Sequence, residues 1–160
     1  MHSDFDPIIH KLKGRTVKVW AVADVHIGSR ECDMDGFKAF LDKVSKDGNA
    51  YIVLVGDIIN NGVKDSLTNV YEETMPPSCQ IEKAVELLTP VKDKILGAVG
   101  GNHCARSRRA VDLDPMHTIC VMLSIGHLYR TNFAMLRVIL AKGNILLHAY
   151  DPTHKRAFYP

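Results

Sequence analysis

The chain has 160 residues, 46% hydrophobic and 24% charged, which suits one domain around one core and excludes a disordered polypeptide. A formal charge of +2 is too small to argue for nucleic acid or an anionic membrane as partner, although it leaves room for a local basic patch. No apolar run reaches the roughly 20 residues that a membrane-spanning helix needs. The first seven residues carry Asp4 and Asp6 and no apolar stretch, unlike a secretory leader. Cys32, Cys79, Cys104 and Cys120 show no CxxC pairing and read as reduced thiols of a cytoplasmic protein.

Phe5, Ile8, Ile9 and Leu12 recur at helical spacing over residues 4–13, and Gly14 ends that stretch. Residues 1–14 read as an N-terminal extension and 15–160 as the domain proper. Residues 17–23 form a first apolar run, leading into Asp24-Val25-His26. Met34, Phe37, Phe40, Leu41 and Val44 predict a helix with its apolar side in the core, closed by Asp47-Gly48. Residues 51–55 are a second run, leading into Gly56-Asp57, and the polar stretch 60–75 predicts loop with a short helix. Pro77-Ser78 opens a helix with Ile81, Val85, Leu88 and Val91 on one face, its last turn interrupted by Pro90. Residues 95–101 are the third run, leading into Asn102-His103. Asp114-Pro115 starts a helix through Ile119, Cys120 and Leu123 that stops at Gly126. Two strand-like runs, 132–140 and 144–147, flank Ala141-Lys142-Gly143-Asn144, a hairpin signal. The three aliphatic runs read as buried strands, parallel and joined by right-handed crossovers, with the hairpin as an antiparallel addition. The fold class is mixed α/β.

In open α/β sheets the ligand crevice lies beyond the carboxyl ends of the strands. Asp24, His26, Asp57, Asn102 and His103 therefore converge on one sheet edge. Asp24 and His26 are two apart in an extended stretch, which points both side chains to the same side. Oxygen with imidazole suits Mn, Fe or Zn. Gly56 lets the backbone turn sharply at Asp57, whose carboxylate can bridge two cations about 3.5–4 Å apart. Asn102 offers a neutral amide oxygen, and His103 is free to act on substrate as a proton donor. Each piece alone also has a plain reading: a chance Asp-x-His, a Gly-Asp turn, an Asn-His loop. Their occurrence in order at three strand ends sets them apart.

Asp24-Val25-His26, Gly56-Asp57 and Gly101-Asn102-His103 resemble the first three motifs of the calcineurin-like metallophosphoesterases, DxH, GDxx(D/N) and GNH(D/E), with Asn60 at the last position of the second. The resemblance implies mixed sheets packed as a sandwich flanked by helices, around a dinuclear Mn, Fe or Zn centre. It implies Asp24 and His26 on the first metal, Asp57 bridging, Asn102 on the second, a bridging water attacking phosphorus, and His103 protonating the leaving oxygen. Leu146-Leu147-His148 resembles the family's strand-ending histidine motif. Asp151-Pro152-Thr153-His154 resembles its closing GHxH, with Pro152 in the place of the first histidine. His148 and His154 are thereby implied as further metal ligands, both or one of them. Cys104 stands where an acidic residue is usual and reads as a small buried thiol. Ala-Asp-Val-His-Ile-Gly-Ser also resembles the opening motif of repair-complex exonucleases. Arg106, Arg108 and Arg109 read either as phosphate or nucleic-acid contacts or as a solvated helix face. The implied function is a metal-dependent phosphoesterase acting on a phosphomono- or phosphodiester, with a nucleotide or nucleic acid among the candidate substrates. The alternatives are a DNA-directed nuclease and a binding module that kept the fold and lost turnover, as the small retromer subunit did.

Overall fold

The computed structural model describes residues 3–63, 73–141 and 143–150. Its elements run β1 (Ile8–Lys11), β2 (Lys18–Val22), α1 (Met34–Lys46), β3 (Ala50–Val55), α2 (Pro77–Leu88), β4 (Ile95–Val99), α3 (Asn102–Val111), α4 (Pro115–Met122), β5 (Tyr129–Arg130), β6 (Phe133–Leu140) and β7 (Gly143–Tyr150). Short 3₁₀ turns cover Thr89–Lys94, at the Pro90 interruption, and Gly126–Leu128.

Two sheets pack against each other with helices outside. One is parallel throughout, in the order β2-β3-β4-β5, because α1 and α2 supply the long crossovers that parallel neighbours require. The other has the order β1-β6-β7, with β6 and β7 joined as the expected antiparallel hairpin, Leu140 opposite Gly143. Strands β3 and β4 face β6 and β7, and their aliphatic side chains fill the space between the sheets. α1 begins at Asp33, whose carboxylate accepts from Gly36 N at 2.9 Å, and buries Phe37, Leu41 and Val44.

Three expectations change. The stretch 4–13 is not helical: Ile8–Lys11 is a strand parallel to β6. A segment this short gains little from helix formation on its own. Tertiary ties hold it extended instead: Arg130 donates to Asp6 O at 3.1 and 2.9 Å, and His10 Nε2–H reaches Leu96 O at 2.6 Å. The first apolar run, second, is not a buried strand. β2 is an edge strand with Trp20 45% exposed, its ring edge-on to Phe40 at 5.9 Å. Third, α2 is rotated from its expected phase, so that Gln80, Ala84 and Leu88 form the buried row while Ile81 and Val85 are only partly covered.

Candidate metal centre

The site is built where β2, β3 and β4 end. The loops after β2 and β3 run side by side, with His26 N donating to Asp57 O at 3.0 Å, Ile27 N to Ile58 O at 2.9 Å and Asn60 N to Ile27 O at 2.9 Å. Within them Asp24, His26, Asp57 and Asn61 all adopt left-handed backbone, with φ of 54°, 52°, 47° and 48°. For residues other than glycine this conformation is uncommon and clusters at functional sites. Asp24 and His26 thus converge through two left-handed turns rather than through an extended stretch, which corrects the geometric reason for their pairing. The third loop closes on the second, as Asp57 Oδ1 accepts from His103 N at 3.0 Å across the start of α3. The intervening Gly101 allows that approach, since a Cβ there would lie 2.2 Å from Asp57 Oδ1 and 2.6 Å from Asp57 N.

His26, Asp57 and His103 each offer a ligand atom within 4.8 Å of the others. The two imidazoles stand 4.5 Å apart, centroid to centroid, and His103 Nε2 lies 4.0 Å from Asp57 Oδ2. Asp57 is a buried carboxylate, 4% exposed, with Arg106 as a nearby positive charge. His26 Nδ1 is buried and finds no hydrogen-bond partner among the described residues. An imidazole with an unpartnered nitrogen, clustered with a buried carboxylate and a second imidazole, is a donor set that fits a divalent transition metal.

His103 is held at both ends of its ring. Its Nδ1–H donates to Asn60 O at 2.5 Å, and its Nε2 accepts from Arg106 Nη2 at 2.9 Å, which assigns the tautomer. Burial, reinforced by the Arg106 and His26 charges, pushes its pKa down to about 4 against the upward pull of the Asn60 hydrogen bond. Metal-free His103 is therefore neutral near pH 7, with Nε2 an acceptor. Arg106 is itself partly desolvated, and Asp57 and Glu73 are its opposite charges.

The other expected residues are distributed around this cluster. Asp24 is at the rim, its side chain 68% exposed and its Oδ1 3.5 Å from His26 Nε2. Asn102 is the half-buried first residue of α3. His148 is exposed on β7, its ring 5.5 Å from that of Phe133, outside the His26–Asp57–His103 group. His154, with Asp151 and Pro152, lies outside the described residues, as do residues 64–72 of the expected loop. Cys104 is buried, and desolvation raises its thiol to about 11, the behaviour of a packing residue rather than a nucleophile. Arg108 is half-buried and donates to Asp114 Oδ2 at 2.9 Å in a cluster with Tyr129. Sequence reasoning missed Gln80, Glu73 and Asn61, which surround His103 from behind; only the unusual Asn60-Asn61-Gly62 run after Asp57 hinted at them.

The family model for calcineurin-like phosphoesterase matches residues 17–149. A search of curated proteins gives no significant match. Among solved structures, the crystal structure of aminoimidazole riboside kinase from Salmonella enterica complexed with aminoimidazole riboside and ATP analog is similar at 8% identity, with a TM-score of 0.34. That alignment covers 91% of this chain and 42% of that one, so the chain spans less than half its length. A likeness this loose bears on neither fold nor activity.

Proposed function

Because the chain belongs to the calcineurin-like phosphoesterase family, we propose that it is a metal-dependent hydrolase of a phosphomono- or phosphodiester, working at the His26–Asp57–His103 cluster. The observation that carries this reading is the clustering of His26, buried Asp57 and His103, each with a ligand atom within 4.8 Å of the others. Asp24, His26, Asp57 and Asn102 would hold two divalent ions, Mn before Fe or Zn, with His148 and His154 as further ligands. When bound, such ions withdraw charge from phosphate oxygens and lower the pKa of water.

The remaining work falls to the chain's own groups. Arg106, one helical turn after His103, is the cation placed to receive a non-bridging phosphate oxygen. Its departure from His103 frees Nε2, the one ring nitrogen not committed to the Asn60 carbonyl. The negative charge of the ester favours protonation of that nitrogen, which then delivers the proton to the leaving oxygen. A cytoplasmic setting accords with the free state of Cys32, Cys79, Cys104 and Cys120. A DNA substrate has weaker support, because Arg108 is already committed to Asp114. The rival reading, a binding module without turnover, draws on the exposed His148.

The test loads purified protein with Mn, measures bound metal, and assays a generic phosphodiester and phosphomonoester. Asp57→Asn is expected to lose metal and activity together, whereas His103→Ala keeps metal and loses about 100-fold or more in turnover. Wild type that binds no metal and cleaves neither ester overturns the enzyme reading. Metal binding without turnover favours the binding module, and loss of metal in His103→Ala makes that histidine a ligand.

A further inference from the structure

Gln80 occupies a position on α2 where an apolar side chain would avoid any need for hydrogen bonding, yet it is 0% exposed and fully partnered. It touches the loops that carry the site. Beside the first, Gly28 has a left-handed φ of 101°, and a Cβ there would lie 2.3 Å from Gln80 Nε2. On the second, Gln80 Oε1 accepts from Asn61 N at 2.8 Å, and the Asn61 amide donates onward to His103 O at 2.7 Å and Ser107 Oγ at 2.9 Å. At its other end Gln80 Nε2 donates to Met75 O and Glu73 Oε2, each at 2.9 Å. Glu73 Oε1 in turn accepts from Asn60 Nδ2 at 3.0 Å and Gly62 N at 2.5 Å. Asn60 O is the acceptor for His103 Nδ1–H. Two hydrogen-bonded paths from one buried amide therefore end on His103, at its backbone carbonyl and at its ring.

We propose that Gln80 is a positioning residue for proton transfer at His103. By bracing Asn61 directly and Asn60 through Glu73, it keeps a carbonyl against Nδ1–H and leaves Nε2 facing the site. An apolar residue of the same size would fill the space, leave the Asn61 N–H without its acceptor and take the Gln80 donor from Glu73 Oε2. The loops would then relax, and the imidazole would sample both tautomers. The kinetic consequence rests on the phosphoesterase reading; the tautomer does not.

Two measurements test this. In metal-free protein, nitrogen NMR of His103 should show one tautomer, protonated at Nδ1, in wild type and a mixture in Gln80→Leu. In Mn-loaded protein, Gln80→Leu should lose about tenfold or more in kcat, the usual cost of removing a supporting hydrogen-bond partner, with bound metal and KM within about twofold. Gln80→Glu sets a carboxylate oxygen against both Glu73 Oε2 and Met75 O and should mix the tautomers and lower kcat in the same way. Glu73→Gln leaves Gln80 in place and weakens only the path through Asn60, so its His103 tautomer decides the matter even if neither Gln80 variant folds: a mixture is expected. An unchanged tautomer and kcat in folded Gln80→Leu, or a single unchanged tautomer in folded Glu73→Gln, overturns the proposal. Wild type inactive on both esters would defeat the proposed function, while the tautomer measurement would still decide this one.

Discussion

Asp57 owes its place to the absence of one methyl group. With a Cβ at Gly101 colliding with both its carboxylate and its amide, the second and third loops cannot approach. Gly101 has φ of −105°, which any residue can adopt, so the requirement is steric and not conformational. Gly101→Ala should therefore cost about 1–3 kcal/mol, as overpacking does, and should weaken Mn binding as Asp57 is displaced. Thermal unfolding and a metal titration check the two effects. Asn61 tests the left-handed backbone differently. Asn61→Gly would relieve its strain at φ 48° but remove the amide that donates to His103 O and Ser107 Oγ. The lost buried hydrogen bonds should outweigh the relief, giving a net destabilisation of about 1–2 kcal/mol in urea unfolding.

Helix α3 carries three arginines with three different environments. Arg106 faces the site, Arg108 joins Asp114 and Tyr129, and Arg109 is exposed. Asp114 also caps α4, accepting from Met116 N at 3.1 Å and His117 N at 3.2 Å. Asp114→Ala removes a cap and the partner of half-buried Arg108 and buried Tyr129, so it should cost about 2–4 kcal/mol. Arg109→Ala should change stability by less than about 0.5 kcal/mol. Chemical denaturation of the two variants side by side checks the contrast. Such differences explain which elements were legible in the sequence. α1, β3, β4 and the β6–β7 hairpin follow from local periodicity and turn residues, which act over a few positions. The fate of residues 4–13, the rotation of α2 and the edge position of β2 depend on partners far away in the chain: β6, the loops beside Gln80, and α1 through Phe40. Periodicity carries no record of such partners. At the candidate site, the approach of His26, Asp57 and His103 was legible from their positions after strands, whereas the hydrogen-bonded support from Gln80 and Glu73 left no trace beyond the Asn60-Asn61-Gly62 run.

For the molecule as a whole, the buried neutral His103 makes stability depend on acidity. Its folded pKa of about 4 lies below the ordinary 6.5, so between those values the unfolded chain binds a proton that the native site refuses. The contribution is complete above pH 6.5 and is lost as pH falls through 4. EDTA-treated protein should show a lower urea midpoint at pH 4.5 than at pH 7, and His103→Gln should flatten that difference. Mn bound at the proposed site should add stability by mass action, about 2.7 kcal/mol at a hundredfold excess over Kd. For a chain of this size that corresponds to a rise of at least about 5 °C in Tm, and calorimetry with and without chelator measures it.

The pairing of Ile8 with Leu136 also imposes an order on synthesis. β1 can find its sheet only after β6, Phe133–Leu140, has left the ribosome, because its pairing partner is so much later in the chain. The β2-β3-β4 sheet and its loops are free to assemble earlier, so the half that carries the candidate site should take shape while the β1 segment still waits in solvent. Hydrogen exchange on stalled chains that have residues up to about 125 outside the ribosome should find protection in β3 and β4 and none in β1.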